Sequence, residues 1–344
     1  AVEVNGDLKN GPVIGSGPWI WKNTQIDVGT TFEKNPDYFE DGLPFVDEFV
    51  ARVIRGGKES RLAAFLTGAV DVYSPSPESW NILQGRLDAG FNSSLSNQGG
   101  SGLILSMNVS TPPFDNLQVR KAVLKALDPW DYLRTTWAGQ GFVSLGMPVQ
   151  SPDWLLAQAE MRETYFADPS GVSDILEDAG VELPLRFEFI LADFGDTYLE
   201  QGRQIEEDLR AVGLEPTSTI LNPSLYTDRV WRDKDYQIAI GALPPTTTTN
   251  GFLFRILHGA SGSRNVLAHS DSRLDEMIVE QAVESDAMQR GEMVRAIQRY
   301  LLEKAYLFSP VTGGSRWVTA PGVRGFHPNV AASEYFFWAK TWVE

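Results

Sequence analysis

Three histidines, His258, His269 and His327, are the only imidazoles in the chain, and it contains no cysteine. No pair of these histidines stands at metal-ligand spacing, so a zinc-type site is not expected. The absence of thiols excludes disulfides, thiolate metal ligands and a cysteine nucleophile. His269, Asp271, Asp275 and Glu276 could together hold a cation. However, Asp271 stands just ahead of Leu274, Met277 and Ile278, where a helix N-cap explains it better. Gly259-Ala260-Ser261-Gly262-Ser263 approaches a nucleophile elbow, but serine replaces the last glycine and no strand-to-helix turn is expected there. The carboxylate pairs Glu206/Glu207 and Glu177/Asp178 read as solvated helix faces. No nucleophile and base stand out together, so no catalytic residues and no enzyme are expected. Ten tryptophans remain. Trp19, Trp21, Trp231, Trp317, Trp338 and Trp342 lie near predicted element ends, where an indole either stacks on a ligand or fills the core.

Composition narrows the partners. The 344 residues carry 29 basic and 45 acidic side chains, a net charge of −16. With no basic block, neither nucleic acid nor an anionic lipid surface is an expected partner. The length suits about two domains. No apolar run approaches the ~18 residues of a membrane-spanning helix. Residues 1–14 lack a basic region and an apolar core, so no signal peptide is expected within this chain.

The elements follow from periodicity. Leu103 to Met107 reads as a buried strand, and Pro112-Pro113 then interrupts backbone pairing. Asp115 is the expected N-cap of the next helix, with Gln118 at the capping-box position. Val119, Ala122, Val123, Ala126 and Leu127 follow one buried helical face, Arg120, Lys121 and Lys125 the opposite one, and Pro129 closes the helix. Residues 74–100, rich in Ser, Asn, Gly and Pro around a short helix near Trp80, read as peripheral surface. From Asp168 onward strand and helix alternate: a helix to Ala179, a strand with Leu185, Phe187, Phe189 and Leu191, and a helix ending at Gly213. Strand Leu214–Leu221, helix Ser224–Trp231 and strand Tyr236–Ile240 follow. This succession calls for an α/β fold.

Short runs in a fixed order carry a resemblance. They include Gly15-Ser16-Gly17-Pro18-Trp19, Asn35-Pro36-Asp37-Tyr38, Leu43-Pro44-Phe45-Val46-Asp47, and Arg61-Leu62-Ala63-Ala64 to Asp71. Then come Asn108, Pro113-Phe114-Asp115-Asn116, Val119-Arg120-Lys121-Ala122 and Ala126-Leu127-Asp128, with Pro310 and Val323-Arg324-Gly325-Phe326 near the end. The set resembles the family 5 extracellular solute-binding proteins, the receptors of ABC importers for peptides, nickel and oligosaccharides.

The resemblance implies an α/β, bilobal, periplasmic-binding-protein-like clamp of type II. Its first lobe is discontinuous and incomplete, residues 1–108 and 311–344, and its second lobe is complete, residues 109–310. It implies a monomer on the periplasmic or extracellular face of the cytoplasmic membrane, lipid-anchored or free, partnered by permease subunits. The mechanism it implies is closure of the lobes about Asn108 and Val311 over a small ligand, with no metal and no cofactor. Ligand contacts are expected from Trp21, Ser74 and Trp317 in the first lobe. Leu243, Thr246, Thr247, Asn250 and Phe252 are expected from the second. The last group marks a departure. Where peptide receptors of the family carry a Trp and an Asp for the peptide's α-amino group, this chain has Leu243 and Thr246. A buried ammonium without a carboxylate is costly, so an oligosaccharide, a polyol or an atypical peptide is the expected ligand. An α/β hydrolase and a ligand-sensing or chaperone module on the same fold are the alternatives.

Overall fold

Asp27 (φ 66°) and Gly29 (φ 148°) reverse the chain between β1 (Trp19–Gln25) and β2 (Gly29–Lys34). At Gly29 a Cβ would collide with the Ala51 carbonyl of β3 (Glu48–Arg52), so only glycine lets the strands approach there. These contacts come from a computed structural model that describes residues 15–95, 102–244, 246–260, 267, 269–312, 316–328 and 335–344. The chain divides into two compact units, Ala1–Ser96 with Ser315–Glu344, and Asn97–Gly314.

The first unit holds the antiparallel sheet β1-β2-β3 and a second sheet of β4 (Val72–Tyr73), β12 (Arg316–Thr319) and β5 (Asn92–Leu95), with β12 central. A small pair, β13 (Val323–Arg324) and β14 (Trp342–Val343), completes it. Phe65, Tyr73, Trp80, Leu83 and Val318 form the buried core beside the second sheet. The segment expected to be peripheral therefore supplies core: Trp80 and Leu83, three apart on the helix Pro77–Leu83, bury the same face. Aromatic contacts bind the sheets together. Phe49 lies 5.9 Å from Trp19 and 4.8 Å from Trp338, and Trp338 lies 4.9 Å from Phe326 and 6.3 Å from Trp317.

The second unit is built on a six-stranded sheet of order β7-β11-β6-β10-β8-β9. Its strands are β6 (Gly102–Met107), β7 (Phe142–Ser144), β8 (Leu185–Ala192), β9 (Leu214–Leu221), β10 (Ile238–Gly241) and β11 (Leu307–Thr312). β8 pairs parallel with β9 and β10, whereas β6 runs antiparallel to β10 and β11. Both faces of β8 are covered. Phe187, Phe189 and Leu191 enter the main core, while Ile190 and Ala192 enter a second cluster with Tyr226, Val230, Tyr236 and Ala239. Gly202 in the helix Asp196–Ala211 sits directly on Leu191, where any Cβ would clash. β6 and β11 both lie inside this sheet.

Three details around the helix Leu117–Ala126 differ from the sequence-based expectation. Its N-cap is Asn116, whose side chain accepts the Gln118 N–H at 2.9 Å, one residue beyond Asp115. Pro129 does not close this helix. It opens the next one, Pro129–Thr135, as its first residue under an Asp128 cap. Arg120 is the largest departure: it is only 5% exposed. Its guanidinium donates to the Phe114 carbonyl at 2.6 Å, the Asp115 carbonyl at 3.2 Å and the Lys304 carbonyl at 3.0 and 3.1 Å. Apolar periodicity cannot register a residue buried for its donors. The helix start and the approach to β11 are thereby held together across the sequence. Replacing Arg120 by Ala leaves buried carbonyls without donors, so we expect a stability loss of about 2–4 kcal/mol in urea denaturation, with partial recovery in Arg120→Lys.

Candidate functional site

After β10 the chain enters the threonine run, and most of its polar groups are engaged by the fold. The Trp231 indole donates to the Ala242 carbonyl at 3.1 Å, and Leu243 packs partly buried against the main core. Thr248 is the N-cap of the short helix Thr249–Phe252, its hydroxyl accepting the Gly251 N–H at 2.9 Å. The buried Thr249 hydroxyl donates to the Pro148 carbonyl at 2.7 Å. Asn250 Oδ1 accepts from Gln281 at 2.8 Å and from Arg290 at 2.9 Å. Arg290 in turn lies over the Trp154 ring at 5.5 Å. Phe252 is 1% exposed and packs as a core residue. Of the expected contacts on this segment, Thr246 (partly buried) and Thr247 (exposed) keep hydroxyls that the helix cap and the Pro148 contact do not use.

In the first unit, the structure brings two of the three expected residues together. Val318 of β12 pairs with Tyr73 of β4, which places Ser74 beside Trp317. The exposed Ser74 hydroxyl donates to the Arg316 carbonyl at 2.9 Å. The Trp317 ring joins Phe326 at 5.7 Å, and its indole N–H is buried without an acceptor among the described residues. Trp21 belongs to the other sheet, where its indole donates to Thr24 at 2.9 Å and the ring is 39% exposed. On the face of the second sheet, Arg316 lies over the Trp80 ring, 4.0 Å from its centroid. Sequence reasoning passed over both Arg316 and Trp80. The Trp80/Leu83 spacing was the available signal for one; nothing in the sequence indicates the other. A surface cavity of about 550 Å³, running from Asn92 to His327, includes none of the expected contact residues.

Asn108 and Val311 lie within the second unit's sheet region. The Asn108 amide, 2% exposed, donates to the carbonyls of Lys234 at 2.9 Å and Tyr236 at 3.0 Å, and its oxygen accepts the Ser110 N–H at 3.1 Å. Asn108 thus ties the end of β6 to the approach to β10.

The acidic group near His269 resolves into structural roles. Asp271 caps the helix Ser272–Val283 through the Leu274 N–H at 3.1 Å. It also accepts the hydroxyls of Tyr300 at 2.9 Å and Tyr306 at 2.8 Å. Asp275 accepts the Gly259 N–H at 2.8 Å. Among the described residues no cluster of three His, Asp or Glu could hold a metal ion. Residues 261–263 of the elbow-like run lie outside the described residues. Glu206, expected on a solvated face, is 8% exposed and pairs with Arg210 at 2.9 Å, because its helix packs that side inward. Glu207, Glu177 and Asp178 are exposed as expected.

The chain belongs to the bacterial extracellular solute-binding proteins of family 5, whose middle-region model matches residues 2–264. A probable di/tripeptide-binding protein 5 of Pseudomonas aeruginosa is 24% identical over 323 residues, which is 92% of this chain and 59% of that protein. The glutathione-binding protein GsiB of Salmonella typhimurium is 25% identical over 173 residues, covering 48% of this chain and 31% of its own. Among solved structures, the binding protein AgaA of A. tumefaciens with agropinic acid aligns with a TM-score of 0.80 at 18% identity. That alignment spans 100% of this chain and 70% of AgaA. DppA of Helicobacter pylori with the peptide STSA gives 0.79 at 18% identity, over 96% and 63% of the two chains. The α/β family 5 fold expected from sequence is the fold observed. The chain spans 59%, 56% and 55% of three di/tripeptide-binding relatives.

Burial acts to raise the Asp271 carboxyl, but the Leu274 N–H and the two tyrosine hydroxyls outweigh it and hold the group below its usual 3.8. A carboxyl lowered on folding stabilises the fold above its unfolded value, and that contribution is lost as pH falls through the folded value. Asp271→Asn should therefore be less stable than the parent by a constant amount above about pH 5. The gap should close as pH falls below about 4. Chemical denaturation across that range measures it.

Proposed function

We propose that this chain is the ligand-holding part of an extracytoplasmic receptor. It captures a small solute, leaves it chemically unchanged and delivers it to the permease of an ABC importer. The observation that carries the reading is family membership over residues 2–264. The relatives named above are binding proteins for di/tripeptides and glutathione, and the aligned structures hold agropinic acid and a peptide. None of these printed activities is a bond-breaking one.

The segment 241–252 narrows the ligand. It contains no acidic residue, so nothing on it can pair with a free α-ammonium. Two of the four threonine hydroxyls and the Asn250 oxygen are engaged within the fold. A surface for a sugar or polyol would keep such groups available, because each hydroxyl of the guest asks for its own partner. A peptide-like solute whose amine is substituted fits better, with Thr246 and Thr247 offering neutral hydrogen bonds. The test is calorimetric titration of the complete protein with matched dipeptides, amine free or N-acetylated, alongside a panel of sugars. Acetylation should change affinity by no more than about threefold, under 1 kcal/mol. A hundredfold preference for the free amine would contradict this ligand assignment, and tight sugar binding with no peptide binding would restore the polyol.

A further inference from the structure

Arg316 opens β12 in a partly buried position, and Trp80 beneath it is held by a well-fixed helix. Ser76 caps that helix through the Ser79 N–H at 3.2 Å, and Trp80 packs with Phe65, Tyr73, Leu83 and Val318. The guanidinium carbon lies 4.0 Å from the indole centroid, so the two flat groups are in van der Waals contact. Contact with the indole face restricts the guanidinium while leaving its N–H groups to find acceptors elsewhere. Within the described residues they do not find them. No carboxylate forms an ion pair with Arg316, and its Nε–H is buried without a hydrogen-bond partner. Other arginines withdrawn from water here are answered. Arg229 meets Glu188 at 2.7 Å, and Arg120 meets three carbonyls.

A guanidinium does not shed its charge on partial burial, although burial does lower its proton affinity. A partly buried, planar cation restrained against an aromatic ring, with N–H groups left over, is a receptor for a planar anion, which it can grip with two parallel N–H···O bonds. We propose that Arg316, seated on Trp80, is the anchor for a carboxylate of the captured solute, with the exposed Ser74 hydroxyl beside it as an additional polar contact. This deepens the receptor reading and rests on it: the solute is then a small carboxylic acid, not a neutral sugar.

The experiment compares an N-acetylated dipeptide acid with its C-terminal amide, by calorimetric titration of the complete protein. The amide has the same shape and lacks the negative charge. The parent protein should prefer the acid by about tenfold or more, the range of a charge-assisted pair. Arg316→Gln should reduce that preference to within about threefold, and Arg316→Lys, which keeps the charge without the planar fork, should fall between. Trp80→Leu should lower the preference as well, by freeing the guanidinium plane. The parent comparison needs no variant, so a misfolded substitution leaves the proposal testable. Equal affinity for acid and amide in the parent overturns the proposal, as does a preference that survives in a folded Arg316→Gln. In both cases the receptor reading stands. Sugar binding with no affinity for either dipeptide also removes the Arg316 anchor while keeping the receptor. A complete absence of binding by dipeptides and sugars alike counts against both.

Discussion

Guanidinium groups taken out of water must be given acceptors, and much of this molecule is arranged around how that demand is met. Burying the charge is costly, and the cost is offset only when several good hydrogen bonds replace the lost hydration. Arg120 meets it with backbone: three carbonyls from the helix start and from the approach to β11 converge on one side chain. Arg290 meets it with amides, using Asn250 and Gln281 beside a tryptophan face. Arg229 meets it with the carboxylates of Glu188 and Asp235. Each of these closes on itself and fixes the second unit. Among the described residues, Arg316 in the first unit has an aromatic face and a buried Nε–H without an acceptor, and this difference is what the proposed carboxylate anchor rests on.

The same logic changes the meaning of the threonine run. A stretch of hydroxyls looks, in sequence, like a surface offered to a guest. In three dimensions one hydroxyl caps a helix turn, one anchors the Pro148 carbonyl, and the neighbouring amide oxygen serves Arg290 and Gln281. The run is thus largely a joint between β10 and the helices that follow, with Thr246 and Thr247 left to face outward or partly so. Among the described residues, no three His, Asp or Glu side chains gather into a group that could hold a metal ion. Asp271, the most networked acid, is committed to a helix cap and two tyrosines.

Sequence reading succeeded where one periodicity decides an element. Strand Leu214–Leu221 was placed to the residue, and Gly213 at φ 82° ends the preceding helix as expected. The buried face of Leu117–Ala126 was legible from its apolar spacing, and the family from motifs kept in order. It failed where burial serves hydrogen bonding rather than hydrophobicity, as at Arg120, and where adjacent capping residues compete, as Asp115 and Asn116 do. Phe252, an expected ligand contact, has its side chain in the core. The Arg316 arrangement was out of reach for a different reason. Its partners Ser74 and Trp80 are more than 200 positions away along the chain, and only the β4–β12 pairing brings them together.

If the proposed Arg316 anchor defines what this receptor accepts, the solute that travels with the protein should declare it. Mass spectrometry of the small molecules released on denaturing the complete protein, isolated without added ligand, tests this most directly. The account predicts a stoichiometric, chemically intact solute bearing at least one carboxylate. Recovery of a neutral sugar would contradict the assignment at Arg316, and recovery of the cleaved products of a larger compound would contradict the view that the protein binds without reacting.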